Sequence, residues 1–243
     1  MGVTHHGRTR RLDLADPDLR EWQCAVLHSG EDGIVLDRSA FYPGGGGQPP
    51  DHGVLLWQGV QTRIVDTRKG DDLYLVPAEG DPVPPAGTAV TGAIEDERRT
   101  LLMRTHSGLH VLCGVVFRDF GALVTGGNMQ PGEARMDFNL PEVPPDFKSS
   151  LEDLVNAEVV ADRRIDVRVL SRDQALSIPD IVRTQTNLIP PDEPEIRVVD
   201  IVGLDLQADG GTHVASTAKV GNVRVTKVES KGKANRRVRL RLA

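Results

Sequence analysis

Three features are scarce in this chain of 243 residues: aromatic side chains, cysteines and long apolar runs. Aromatic residues make up only 4% of the sequence. We therefore expect an aliphatic core and no stacking surface of several rings for nucleic-acid bases. The two cysteines cannot form a disulfide framework, which favours a reducing compartment. No apolar run approaches the ~18 residues of a spanning helix or resembles a signal peptide, so we expect no membrane segment and a cytoplasmic location.

What is present is typical of a globular protein. Hydrophobic residues make up 39% and charged residues 26% of the chain, enough to bury a sizeable core. The net charge of −6 conceals an asymmetry. Residues 219–243 carry nine basic side chains against one acidic side chain, whereas the other 218 residues carry 20 basic and 34 acidic side chains. The basic end could contact phosphates, or it could be a charged edge strand that prevents edge pairing.

The first part of the chain has the pattern of a small β-barrel. Short apolar segments between Trp22 and Thr91 are separated by Gly, Asp and Pro, which predicts strands. The residues before about Asp16 show no apolar periodicity and predict a frayed arm. We predict an N-terminal β-barrel domain at 1–92, which includes a glycine-rich motif. Its predicted strands include 24–27, 33–36, 54–57 and 88–90.

The second part has mixed periodicity. Apolar residues recur at steps of three and four from Ile94 to about Asp119, which predicts one long helix that ends at Gly121. Alternating apolar residues predict strands at 135–138, 164–170, 197–202, 223–228 and 238–242, and residues 144–162 predict a second helix. We therefore predict an α+β fold, with an antiparallel sheet packed by helices in a second domain at 93–243.

His106 and His110 are four residues apart on the predicted long helix, so both imidazoles lie on one face and could share a metal ion. Two core histidines with separate hydrogen-bond partners are the alternative interpretation. Ser107 follows His106, so the HExxH motif of zinc proteases is absent. We expect Cys113, on the same face, to be a small buried apolar residue.

Asp209 and His213 are also four residues apart, and Gly210 and Gly211 between them allow a tight turn and a close backbone approach. Placed opposite the helical pair, they would complete a set of three nitrogen donors and one oxygen donor that zinc accepts. A turn that caps a strand is the alternative interpretation.

Four segments resemble the editing domain of alanyl-tRNA synthetase and the free-standing AlaX trans-editing proteins. They are residues 41–48, 104–110, 209–214 and 230–237. The resemblance runs from about Val35 to the end of the chain. The chain resembles the stand-alone editors, in the longer form that has an N-terminal barrel.

This resemblance implies a hydrolase that cleaves seryl or glycyl esters from mischarged tRNA(Ala), with one zinc ion per chain. His106 and His110 match the family's HxxxH motif, and His213 matches the last histidine of its CxxxH motif. Asp209 stands where the family has cysteine, and we expect it to be a metal ligand rather than a free base. The metal could act as a Lewis acid on the ester or could position the attacking water.

The resemblance also assigns further residues. Thr125 lies near the family's threonine that helps to separate serine from alanine, although its hydroxyl could simply bond within its own turn. The residues predicted for catalysis are His106, His110, Asp209, His213 and Thr125. The residues predicted to contact substrate or tRNA are Gly45, Gly46, Gly47, Gln48, Gly210, Gly211, Lys231, Lys233, Arg236 and Arg237.

The roles of these contact residues differ. Backbone N–H groups around Gly210 and Gly211 could stabilise an oxyanion. The glycine run at 44–47 is followed by Gln48 and two prolines, so it is no P-loop; composition alone suggests a hairpin tip, whereas the resemblance suggests packing against the editing pocket. The four basic residues could hold acceptor-stem phosphates.

Two other functions remain open at this point. The first is a non-catalytic tRNA-binding module in which Asp209 marks a lost metal site. The second is editing of seryl-tRNA(Thr), because threonyl-tRNA synthetases have a related domain with similar histidine motifs.

Overall fold

The computed structural model describes residues 5–187 and 189–243, and the predicted α+β fold is confirmed. The chain divides into two compact units. Unit 1 comprises the described residues up to Gly45 together with residues 49–100, and unit 2 comprises residues 46–48 and the described residues from Leu101 to the end. The domain assignment at 1–92 and 93–243 stays a prediction.

Unit 1 contains the predicted small barrel. The strands of unit 1 are β1 (His5–His6), β2 (Thr9–Arg11), β3 (Glu21–Gly30), β4 (Gly33–Leu36), β5 (Arg38–Ser39), β6 (Gly53–Trp57), β7 (Val60–Lys69), β8 (Leu73–Pro77) and β9 (Ala89–Ile94). Six of them form a closed barrel in the order β3-β4-β8-β7-β6-β9. The interior is mainly aliphatic, with Trp22 and Phe41 in edge-to-face contact among the aliphatic side chains.

The prediction of a frayed arm before Asp16 is wrong for the described residues. Strands β1 and β2 pair with each other, and β2 pairs in parallel with β5. Thr9 is fully buried and donates its hydroxyl hydrogen bond to Leu36 O. The arm is held by pairing with residues almost thirty positions further along the chain, and such short strands leave no apolar periodicity in the sequence.

Unit 2 contains two antiparallel sheets. Their strands are β10 (Val124–Gln130), β11 (Glu133–Phe138), β12 (Ile165–Ser171), β13 (Glu195–Ile201), β14 (Asp205–Ala208), β15 (Val223–Ser230) and β16 (Arg236–Leu242). The strand orders are β10-β11-β16-β15 and β12-β13-β14. The helices are α1 (Asp96–Phe120), α2 (Phe147–Val160), α3 (Arg172–Leu176) and a 3₁₀ helix at Thr217–Val220. Residues of α1 from Leu101 onward belong to unit 2.

Helix α1 forms for reasons that the sequence contains. Asp96 and Glu97 in the first turn and Arg118 in the last turn complement the helix dipole. Gly121 adopts a φ of 64° and donates its N–H to Phe117 O, which ends the helix where the sequence predicted. Residues 105–116 are buried on every side, so this part of α1 is the central helix of unit 2.

The core of unit 2 surrounds α1. Helix α2 packs against β15 and buries Phe147, Leu151 and Val155. Cys113 is a free, buried thiol within this core, which confirms its prediction as a small apolar residue. Among the described residues, no helix combines the length and the apolar character needed to cross a membrane.

Candidate metal centre

The structure brings four predicted side chains of unit 2 together. One potential ligand atom from each of His106, His110, Asp209 and His213 lies within 4.8 Å of each of the others. The first two side chains are one turn apart on α1, and the other two follow β14. Residues about a hundred positions apart therefore form one cluster of three buried imidazoles and one partly exposed carboxylate.

All three histidines direct Nε2 toward the carboxylate of Asp209. His213 Nε2 lies 3.0 Å from Oδ2, and the Nε2 atoms of His106 and His110 lie 3.6 and 3.8 Å from Oδ1. The imidazole centroids are 4.5 to 5.0 Å apart. Four donors that converge in this way could hold a metal ion, and four nitrogen and oxygen ligands are the usual number for zinc.

The opposite nitrogen of two of these imidazoles is held by a polar side chain. His106 Nδ1 lies 2.9 Å from Gln48 Oε1, and that oxygen also accepts from the backbone N–H of Thr212. Since an amide oxygen only accepts, His106 Nδ1–H donates and leaves the Nε2 lone pair toward Asp209. His213 Nδ1 lies 3.2 Å from Ser107 Oγ, which accepts from Val214 N–H.

The glycines after Asp209 allow this geometry. Gly211 N–H donates to Asp209 Oδ2 at 2.6 Å, which fixes one carboxylate oxygen in a tight turn. A Cβ at Gly211 would overlap the imidazole of His106, whereas a Cβ at Gly210 would meet open space. Arg197 also holds the main chain of Asp209, because Asp209 N–H donates to Arg197 O and the Asp209 carbonyl accepts from the side-chain Nη1 of Arg197.

Burial sets the protonation states of the cluster. Burial lowers the pKa of His106 to about 4 and lowers the pKa of His213 well below its ordinary value. Burial opposes the ionisation of Asp209, but the neighbouring imidazoles outweigh it and hold the pKa of this carboxyl well below its usual range. At neutral pH His106 and His213 are therefore neutral imidazoles and Asp209 is a carboxylate, which are the forms that bind metals.

The donor set fits zinc. Imidazole nitrogen and carboxylate oxygen are both ordinary zinc ligands, and histidine ligands of zinc characteristically donate their other ring N–H to a second group. Gln48 meets that requirement for His106, and Ser107 can meet it for His213. His110 Nδ1 is buried and makes no hydrogen bond to any residue in the described part of the chain.

The glycine motif and Thr125 have defined positions in unit 2. Gly47 O accepts from Met129 N–H on β10, and the Cβ position of Gly46 points to Asp209 Oδ1, 3.7 Å away. Gln48 is buried, and its amide is bound to His106 and Thr212. Thr125 is exposed, and its hydroxyl donates to Asn235 Oδ1. Gly45, assigned to unit 1, is exposed.

The four predicted phosphate-binding residues lie at the β15–β16 hairpin and differ in their contacts. Lys231 and Lys233 are exposed on the connection between the strands. Arg237 forms a two-pronged ion pair with Asp137 on β11, with both hydrogen bonds at 2.7 Å. Arg236 donates to the carbonyl oxygens of Pro141 and Asn235. The two lysines therefore offer the more available charges for a phosphate.

Sequence reasoning missed the contacts that hold the imidazoles. The sequence pattern gives Ser107 no role beyond excluding the protease motif, and the resemblance assigns Gln48 to substrate contact. A signal for Ser107 was present, because a serine inside an apolar helix turn that carries two histidines is a hydrogen-bonding group that must find a partner when buried. No local signal indicates that Gln48 meets His106, 58 residues away in the chain.

Comparison with known proteins identifies the family of the chain. Residues 196–239 match the family model of the threonyl and alanyl tRNA synthetase second additional domain, and residues 14–98 match that of class II (A) tRNA synthetases. The alanyl-tRNA editing protein AlaX-M of Saccharolobus solfataricus is 35% identical over 237 residues, which cover 95% of this chain and 97% of that protein.

Two further relatives give the same result. The AlaX-M protein of Methanosarcina acetivorans is 32% identical and covers 95% of this chain and 97% of its own length. An alanine–tRNA ligase of Pyrobaculum neutrophilum is 36% identical over 91% of this chain but only 25% of the ligase. The chain belongs to the AlaX-M family of alanyl-tRNA editing proteins.

Proposed function

We propose that this protein is a trans-editing hydrolase that deacylates mischarged seryl- or glycyl-tRNA(Ala) at a site with one zinc ion. The observation that carries the proposal is the cluster of His106, His110, Asp209 and His213 in a chain related to AlaX-M along almost its whole length. The cytoplasmic location expected from the two cysteines stays a prediction.

The proposed reaction corrects errors of amino-acid selection during tRNA charging. A synthetic site shaped for alanine cannot exclude the smaller glycine by size, and it rejects serine, which is larger by one hydroxyl, only weakly. A second site that hydrolyses the wrong ester supplies the missing discrimination. An ester bond requires only a positioned water molecule and stabilisation of the developing oxyanion.

In this proposal His106, His110, Asp209 and His213 hold the zinc ion. A bound zinc ion supplies Lewis acidity toward the ester carbonyl and a lowered pKa for water, or positions that water. Gly211 N–H is already bound to Asp209 Oδ2, so the proposed oxyanion donor is the backbone N–H of Gly210. Gly210 is exposed, and the open space at its Cβ position leaves room for the ribose ester.

Two further groups complete the proposed substrate site. The exposed Lys231 and Lys233 provide charges for acceptor-stem phosphates, and such binding weakens as salt concentration rises. Thr125 remains the candidate that receives the seryl hydroxyl. Its bond to Asn235, next to the hairpin with the two lysines, supports a position close to the bound tRNA end.

The test is a deacylation panel with measured metal content. Purified protein is assayed for zinc and incubated with seryl-, glycyl- and alanyl-tRNA(Ala) and with seryl-tRNA(Thr). We expect about one zinc per chain and hydrolysis of the seryl or glycyl ester of tRNA(Ala) but not of the alanyl ester. Faster hydrolysis of seryl-tRNA(Thr) would indicate the other substrate pair. Binding of tRNA without any hydrolysis would indicate a non-catalytic module.

A matched pair of variants assigns the activity to the cluster. His106→Ala removes one proposed ligand and should abolish hydrolysis while the circular dichroism spectrum is retained. His28→Ala is the control, because His28 is a half-exposed histidine of unit 1 that pairs with Asp32. A full rate in His106→Ala would remove the metal from the mechanism.

A further inference from the structure

His110 differs from the other two imidazoles of the cluster at Nδ1, the ring nitrogen that does not face Asp209. Its Nδ1 atom is buried and makes no hydrogen bond to any described residue, whereas His106 and His213 each face a polar side chain through Nδ1. A buried imidazole N–H without an acceptor is destabilising, so a nearby acceptor is expected. Asp205 Oδ2 lies 3.9 Å from His110 Nδ1.

Asp205 is held rigidly in this position. It begins β14, is almost fully buried, and accepts from Arg183 Nε through Oδ1 at 2.9 Å and from Gln207 Nε2 through Oδ2. Arg183 stacks over the ring of Phe117 on α1, with its central carbon 3.8 Å from the ring centroid. A buried carboxylate with two donors already in place has a fixed direction, and its Oδ2 faces the imidazole.

The helix is shaped to let Asp205 approach. Gly114 lies one turn beyond His110 on α1, and a Cβ at this position would come within 2.9 Å of Asp205 Cβ and of Leu204 Cγ. Any larger residue at Gly114 would therefore displace the start of β14 from the helix. A glycine inside a buried helix is unfavourable relative to alanine, and close packing is a common reason for its presence.

We propose that Asp205 is the positioning residue for His110 in the metal centre and that Arg183 in turn fixes Asp205. This inference rests on the proposed zinc site. A cation bound at Nε2 makes Nδ1–H a stronger donor, and a carboxylate is the acceptor that increases the basicity of the ligand most. Nδ1 of each imidazole then faces a polar side chain from a separate segment of the chain. These side chains are Gln48 for His106, Ser107 for His213 and Asp205 for His110.

The direct test is zinc affinity rather than turnover. In Asp205→Asn the side chain keeps one acceptor oxygen and gains an NH2 donor. The oxygen can accept from Arg183 or from His110 but not from both, so the NH2 group must face the N–H of the other residue. We expect a 10- to 100-fold weaker zinc affinity, measured by competition with a chromophoric chelator. Asp205→Glu retains the carboxylate and should recover part of the affinity. Asp200→Asn is the matched control, because Asp200 forms an exposed ion pair with Arg168 on the neighbouring strands.

A spectroscopic measurement on the unmodified protein covers the case in which Asp205→Asn fails to fold. With cobalt(II) in the site, each imidazole N–H that is held by an acceptor gives an exchangeable, strongly shifted proton NMR line. We expect three such lines, and the loss of one in Asp205→Asn if that variant folds.

Three results would overturn the role of Asp205. They are unchanged zinc affinity in Asp205→Asn, only two exchangeable lines in the unmodified protein, and no stoichiometric metal binding at all. The proposed hydrolysis is judged separately by the deacylation panel. A protein that binds zinc through His110 but cleaves no ester would therefore disprove the proposed function and leave the role of Asp205 standing.

Discussion

The side-chain oxygen of Gln48 accepts a hydrogen bond from Nδ1 of His106 at 2.9 Å, at the opposite end of the imidazole from Asp209. The same amide donates to Thr212 Oγ1 and accepts from Thr212 N–H. One buried glutamine thus fixes both a proposed metal ligand and the turn that carries two others. In the proposed metal centre this arrangement would make Gln48 a positioning residue.

Replacement of Gln48 with methionine keeps the volume and removes all three hydrogen bonds. We expect zinc affinity to fall about 10- to 100-fold, because His106 loses the acceptor that orients it. We also expect a loss of roughly 1–3 kcal/mol in the free energy of unfolding, because buried donors become unsatisfied. Chelator competition and chemical denaturation measure the two effects. Gln61→Met, at an exposed position of β7, is the control and should change neither.

Adjacent glycines provide a steric test of the turn. Gly211→Ala places a methyl group on the imidazole of His106, so we expect the loss of stoichiometric zinc binding. Gly210→Ala meets open space and should retain zinc binding and the melting temperature. Both measurements are made by metal analysis after dialysis and by thermal melts. Equal zinc content in the two variants would mean that the contact between Gly211 and His106 does not shape the site.

Asp209→Cys restores the residue that the family motif has at this position. A thiolate is a softer and stronger zinc donor than a carboxylate, so zinc affinity should be kept or raised. Asp209→Ala removes a ligand atom. It should therefore lower zinc affinity by more than Gln48→Met, which removes only the hydrogen-bond partner of a ligand. Competition titrations rank the three proteins. A sharp fall in affinity for Asp209→Cys would show that Asp209 has a role other than metal binding.

Glu158 on α2 gives a prediction for stability as a function of pH. Burial opposes its ionisation, but hydrogen bonds from Arg118 and Arg163 outweigh this and hold its pKa below the ordinary value of 4.5. Because the folded pKa is depressed, the carboxylate stabilises the fold above pH 4.5, and this contribution is lost as pH falls through the folded pKa. The half-exposed arginines limit it to about 1–2 kcal/mol.

We therefore expect Glu158→Gln to lower the free energy of unfolding at pH 7, with a difference from the parent that shrinks below pH 4.5. Urea denaturation at a series of pH values measures this difference. Glu142→Gln, at an exposed position, serves as the control. A difference that grows on acidification would contradict the depressed pKa.

Local patterns in the sequence predicted the elements that depend on local physics. The three- and four-residue apolar steps predicted α1 and the shared face of His106 and His110, and Gly121 predicted the helix end. Alternating residues predicted β13, whose bounds at Glu195–Ile201 lie close to the predicted 197–202. In each case residues that are close in the sequence determine the structure.

Long-range contacts were not predictable in the same way. Strand β2 forms by parallel pairing with β5, and its three residues leave no period. Gln48 reaches His106, and Asp205 faces His110, through tertiary packing alone. Gly114 was a usable signal, because a glycine in a buried helix marks a close approach, but it does not say which residue approaches.

The most direct test of the account is the rate of seryl-tRNA(Ala) hydrolysis by protein stripped of metal with a chelator, before and after the addition of one equivalent of zinc. We predict that the stripped protein is inactive, that one equivalent restores the rate, and that His106→Ala is not restored. Hydrolysis by the stripped protein at the full rate would contradict a metal centre formed by His106, His110, Asp209 and His213.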